Sequence, residues 1–252
     1  MLPGVLAAVT AIQSGMTSNY HSLQVTAEKR FRNHLGFKGF YTLAKGLSGG
    51  VMEGATSSAG VQDFRNMALD HARLDNDRKH NFVTSVLYET SYFKKGSALH
   101  ALADGWELSA IVSLQSGTPL TITTGTDVNL DGTANDRPNL IADPRLDPGR
   151  PRAASTAAWF NTAAFVRGVN GSTGTAGRNI LDAPGIRNMD LGVFRKFQVR
   201  EWFTLQARGE FTNALNMVSL SGPNTVQSSP IFGQIRNARD MRQVQVGLRL
   251  TF

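Results

Sequence analysis

The chain has no cysteine among its 252 residues, which excludes a disulfide framework and any thiolate metal site. It also lacks any run of eighteen or more apolar residues, so no segment is long and apolar enough for a membrane-crossing helix. That test is blind to membrane strands, whose lipid-facing residues are diluted one to one by lumen-facing ones. No GxSxG elbow, no HExxH motif and no convincing nucleophile is present. His71, Asp75, Asp77 and His80 lie close in sequence but read as polar loop residues, and enzymatic activity is not expected. Lys and Arg number 26 against 19 acidic residues, a net charge of +7. The basic residues are scattered through turns and polar strand faces with no concentrated run, so nucleic acid is not an expected partner. The first Lys or Arg is Lys29, so the short apolar start lacks the positive region of a secretory signal.

Alternation is what the chain does have. At the C-terminus, Val244, Val246, Leu248, Leu250 and Phe252 fall on one face of a strand, with Gln243, Gln245, Gly247, Arg249 and Thr251 on the other. The same pattern recurs at Phe203 to Phe211, Met189 to Phe197, Trp106 to Leu114, Phe82 to Tyr88, Leu35 to Leu43 and Leu23 to Ala27. This is the length and period of tilted membrane strands. Close spacing around residues 199–201, and at Arg32, Asn33 and His34, reads as hairpin turns. Residues 45–79, 125–187 and 217–240 are instead long connections rich in Gly, Asn, Asp, Ser and Pro. Short turns on one rim and long loops on the other are the mark of an outer-membrane barrel. With Phe252 at the periplasmic rim, every short turn falls on the periplasmic side.

The expected fold is therefore all-β: a transmembrane antiparallel β-barrel, partial, with about seven or eight strands of a larger barrel and long extracellular loops. Seven strands leave the N-terminus outside, whereas single-chain bacterial barrels have even strand numbers. Either residues 5–12 form a poor eighth strand or an upstream portion is missing, and the second reading is favoured. Residues 1–18 then count as a loop remnant or poor strand, and 19–252 as the C-terminal part of the barrel.

Several smaller features carry candidate roles. Asp127, Asn129, Asp131 and Gly132 have the spacing of the opening half of an EF-hand calcium loop, with Asn135 at the water-mediated position and Asp136 as a further carboxylate. Pro138 stands where the bidentate Glu would be, so the segment reads either as a calcium site or as an Asx-rich turn that needs no metal. Gly171, Gly174 and Gly177 read as flexible loop. Asp190, Arg208 and Glu210 fall on the lumen face, where inward charges pair across a polar wall. Trp106, Trp202, Phe203 and Tyr88 lie near strand ends, as an interfacial aromatic girdle would.

The segments SNYHSLQVTAEKRF, DGWELSAIVSLQSGTPLTI, DVNLDGTANDRPN, GRNILDAPGIRNMDLGVFRKF, LQARGEFTNALN and FGQIRNARDMRQVQVGLRLTF resemble, in order and spacing, the C-terminal portion of Oar-like TonB-dependent outer-membrane receptors. The resemblance implies the wall of a barrel of about twenty-two strands, plugged by an N-terminal domain and importing a bulky ligand of unknown identity. It implies outer-membrane lipid and the barrel assembly machinery as partners, and the TonB system only through the plug, which nothing in these residues resembles. It also makes the terminal strand, Val244 to Phe252, the outer-membrane insertion signal. The alternative is a small self-contained outer-membrane barrel with a structural or adhesive role.

Overall fold

The computed structural model describes residues 16–50, 61–63, 65–93 and 96–252. The segment 5–12, weighed above as an eighth strand, lies outside them. Seven long strands are present among the described residues: β1 (Ser18–Arg32), β2 (Leu35–Ser48), β3 (His80–Glu89), β4 (Trp106–Gln115), β5 (Ile186–Arg200), β6 (Phe203–Thr212) and β7 (Gln243–Thr251). They pair antiparallel in strict chain order, each with its neighbours in sequence. All seven stretches of alternation in the sequence are strands, several longer than the alternation alone marks out.

The turns fall as their chemistry requires. Asn33 and His34 have φ of 54° and 63°, the left-handed pair that a two-residue hairpin needs to match strand twist. Between β5 and β6 only Glu201 and Trp202 intervene. The β3–β4 connection carries a short helix, Ala98–Ala103. It is closed by Asp104, whose two carboxylate oxygens each accept a backbone N–H, from Tyr92 and Phe93, at 2.8 Å. These three connections share one rim. The other rim is where the chain leaves β2 after Ser48, β4 after Gln115 and β6 after Thr212.

Register turns the alternation into a two-faced wall. Phe37, Val86, Ala110, Leu191, Phe211 and Val244 stand opposite one another in one row from β2 to β7. Leu35, Tyr88, Leu108, Val193, Gly209 and Val246 form the next. The opposite face carries rows such as Lys196, Gln206 and Arg249. A slip of one residue would exchange the faces, so the apolar set fixes the pairing. The first of these rows begins near the short-turn end of β2 and finishes near the long-loop end of β7, because Phe37 is close to the start of β2 and Val244 close to the start of β7. That progressive stagger is the shear of tilted barrel strands.

Among the described residues the sheet is open. β1 pairs only with β2 and β7 only with β6, and every residue of β1 and β7 is exposed. Apart from Ala44 on β2, the buried apolar residues of the described chain lie outside the wall. Ile122, Phe160, Ala164, Phe165, Ala176 and Leu181 form the core, with Leu120, Leu140, Trp159, Ile180 and Phe232 packed around them. All come from the long-loop rim.

Candidate functional site

The long loops fold together into one body. Phe160, Phe165 and Phe232 meet edge to face with ring centroids 5.2 to 6.1 Å apart, the arrangement that aromatic quadrupoles favour. Phe232 belongs to the loop between β6 and β7, so this contact joins two loops. Two short strand pairs brace the rest: Pro119–Leu120 with Leu181–Asp182, and Asn139–Leu140 with Phe165–Val166.

A buried polar network ties this body to the wall. Arg137 and Asp70 form an ion pair at 2.5 Å with 4% and 3% of their side chains exposed. Arg137 spends its other donors on the Ala176 and Leu69 carbonyls. Asp70 also accepts the Gln62 N–H at 3.0 Å. Arg178 donates to the carbonyls of Asp70 and of Ser48, the last residue of β2. Asn179, at φ 56°, donates to the Arg73 carbonyl and the Asp75 carboxylate. Burying these charges is tolerable because each is paired and hydrogen-bonded. Sequence reasoning passed over Asp70, Arg137, Arg178 and Asn179. Position alone marks three of them: Arg137 lies in the DVNLDGTANDRPN block and Arg178 and Asn179 in the GRNILDAPG block, while Asp70 lies in neither.

Gly174 is part of the same body and corrects the reading of its segment as flexible loop. A Cβ there would lie 1.8 Å from the Arg137 carbonyl oxygen, and the Gln62 amide donates to the Gly174 carbonyl. The glycine permits two backbones to touch.

The Asp127 segment is a closed turn. Asp127 accepts the Asp131 N–H through Oδ1 and the Gly132 N–H through Oδ2. Asn129 Oδ1 also accepts the Asp131 N–H, and Asp131 Oδ1 accepts from the N–H and hydroxyl of Thr133. Partial burial pushes the Asp131 carboxyl up, but the bonds from Thr133 and Asn129 outweigh it and hold the group below its ordinary value. Asn135 accepts the Thr133 hydroxyl and donates to the Val61 carbonyl. Asp136 lies beneath, wholly buried, its Oδ2 accepting the Val128 and Asn129 N–H groups. Among the described residues no group of three or more His, Asp or Glu side chains gathers as a metal cage.

Three members of the histidine and aspartate cluster, Asp75, Asp77 and His80, make separate structural contacts. Asp77 accepts the Gly46 N–H, Asp75 meets Arg178, and His80 Nδ1 pairs with the Tyr41 hydroxyl. On the polar face Arg208 pairs with Glu210 at 2.6 Å, and Asp190 accepts from Asn188 and from the Asn213 N–H.

On the terminal strand Val244, Val246, Leu248, Leu250 and Phe252 are 56 to 91% exposed, on the face shared by the apolar rows. Trp106, Tyr88, Trp202 and Phe203 all lie at the short-turn rim, where Arg195 is over the Trp106 ring at 5.1 Å and Arg200 over Trp202 at 5.9 Å. An apolar band edged by an aromatic, cationic rim is how a wall meets lipid. Residues 1–245 match the model of the outer membrane beta barrel domain. The chain belongs to that family. No curated protein and no solved structure matches it. For an outer membrane beta barrel domain the exposed apolar rows are ordinary, because their solvent is the hydrocarbon of the outer membrane. In such barrels short turns face the periplasm and long loops the outside, which sets the loop body with its buried Asp70–Arg137 pair on the outer surface.

Proposed function

We propose that this chain forms wall and extracellular loops of a TonB-dependent receptor that captures and imports a bulky ligand. The observation that carries the reading is the combination of an open, staggered seven-strand wall with three long loops built into a single anchored body. A loop body braced by a buried ion pair and its hydrogen bonds is a scaffold for capture, since rigid loops lose less entropy on binding. The role is transport, not catalysis. Its partners are outer-membrane lipid, the barrel assembly machinery, the ligand and, through a plug domain, the TonB system.

The open edges give the test. In hydrocarbon each unpaired backbone group costs several kcal/mol, so in this reading the edges of β1 and β7, open among the described residues, pair with further strands. Expressed behind a signal peptide, these 252 residues alone should fail to yield a protease-resistant barrel in the outer-membrane fraction. The full-length protein should yield one, and should cross-link to TonB in energised cells. A monomeric, heat-modifiable barrel from the 252 residues would overturn the reading in favour of a small structural or adhesive barrel.

A cation role for the Asp127 loop is a second proposal. Asp136 Oδ1 and Gln62 Oε1 are buried acceptors without a hydrogen-bond partner, and the Gln62 backbone carbonyl accepts the Asn129 amide. Two orphan acceptors beside an Asp-x-Asn-x-Asp-Gly turn favour a positive ligand there.

A further inference from the structure

The apolar band ends abruptly near the long-loop rim of β1 and β2. Leu23 stands opposite Leu43, and the next pair above on the same face is His21 with Lys45. A recess of about 610 Å³ opens at this step, lined by Leu23 and Leu43 together with His21, Lys45, Arg73 and Lys79. Arg73 stands opposite Leu47 across a short strand pair, which places it on the same outward face. It is already committed, to Asp182 at 2.8 Å. Lys45 and Lys79 are exposed, and neither ammonium has a partner among the described residues. The one acid lining the recess, Asp77, is buried and accepts the Gly46 N–H.

We propose that this recess binds the phosphorylated headgroup of an acidic lipid in the outer leaflet. Lys45 and Lys79 face the phosphate, and an acyl chain runs down over Leu23 and Leu43. Placement separates this ligand from a soluble anion. The recess opens on the lipid side of the wall, with ammonium groups above and aliphatic side chains below, so it matches a molecule that is anionic at one end and hydrocarbon at the other. Lysines at such a step hold their stems against the apolar band and their charge in the headgroup layer. This inference rests on the outer-membrane placement of the wall and not on the receptor reading.

The test uses the full-length protein in zwitterionic detergent micelles, with retained lipid counted by native mass spectrometry. Phosphatidic acid should be retained in preference to phosphatidylcholine and diacylglycerol. Lys45→Gln and Lys79→Gln should each weaken retention about fivefold, and the double variant about twenty-five-fold. Lys45→Arg with Lys79→Arg should keep it. Lys29→Gln, on the same face towards the opposite rim, should change nothing. Equal retention of phosphatidylcholine, or unchanged retention by the double glutamine variant, overturns the proposal. Competition by millimolar inorganic phosphate as effective as by phosphatidic acid would mark a soluble-anion site and overturn the lipid assignment.

Discussion

Arg137 and Asp70 meet in a 2.5 Å ion pair shielded from solvent, although 67 residues separate them in sequence. The pair joins the loop before β3 to the loop before β5. Removing one partner of such a pair leaves an uncompensated buried charge and costs about 3–5 kcal/mol, more than the pair contributes over a well-packed apolar replacement. Arg137→Met and Asp70→Asn should each lower the stability of the loop body by that amount. Trp159 packs against the loop core, so its fluorescence during denaturation, in a background lacking Trp106 and Trp202, reads the effect. An unchanged midpoint for both variants would show that the pair does not hold the loops together.

Lipid exposure of the terminal strand makes a separate prediction. Leu248 lies mid-strand on β7, opposite Ala207 on the apolar face. Leu248→Arg should destabilise the inserted barrel by about 2–4 kcal/mol, whereas arginine on the lumen face at Gly247 should cost far less. Under the proposed role of Val244 to Phe252 as an insertion signal, deleting Phe252 should lower the inserted fraction. Heat-modifiable migration of the full-length protein measures all three, and equal insertion of both arginine variants would reverse the assignment of faces.

Calcium at the Asp127 turn should appear in calorimetry of the full-length protein. Extracellular calcium modules bind at about 10⁻⁴–10⁻³ M, so the expected uptake is submillimolar to millimolar. Asp127→Ala and Asp131→Ala should both abolish it. Absence of heat at several millimolar calcium would leave the segment as an Asx-rich turn closed by its own N–H groups.

Acid should loosen the same turn. The Asp131 carboxyl is held below its ordinary value of 3.8, so its ionised form is favoured in the folded loop. Its contribution is complete above that ordinary value and lost as pH falls through the lower folded one. Amide exchange of Thr133, whose N–H the Asp131 carboxylate accepts, should therefore rise as pH drops below about 4, relative to exchange in the Asp131→Asn variant. Identical profiles in the two proteins would exclude Asp131 as the cause.

The wall was legible because period-two alternation is read one residue at a time. Val244, Leu248 and Phe252 announce their face without knowledge of any partner, and the same holds for Phe203 to Phe211. The loop core was not legible, because Ile122, Phe160, Ala164 and Phe165 are apolar residues without a period. Their partners are set by folding of distant segments. Gly174 shows the limit most clearly: a glycine that lets two backbones touch has the same sequence signature as one in a mobile linker. The Asp127 turn was recognised as a cluster of oxygen ligands, yet nothing local told Asp136, buried under the turn, from Asp131 on its surface.

Arg178 reaches the Ser48 carbonyl across 130 residues of chain, and this contact has a consequence for assembly. Ser48 and Arg178 lie on opposite sides of the β3–β4 hairpin in sequence, so they can meet outside only after that hairpin has crossed. Contacts of such long separation form late. Once made, this contact ties the outer end of β2 to the loop before β5, so β2 cannot part from that loop without giving up a buried hydrogen bond.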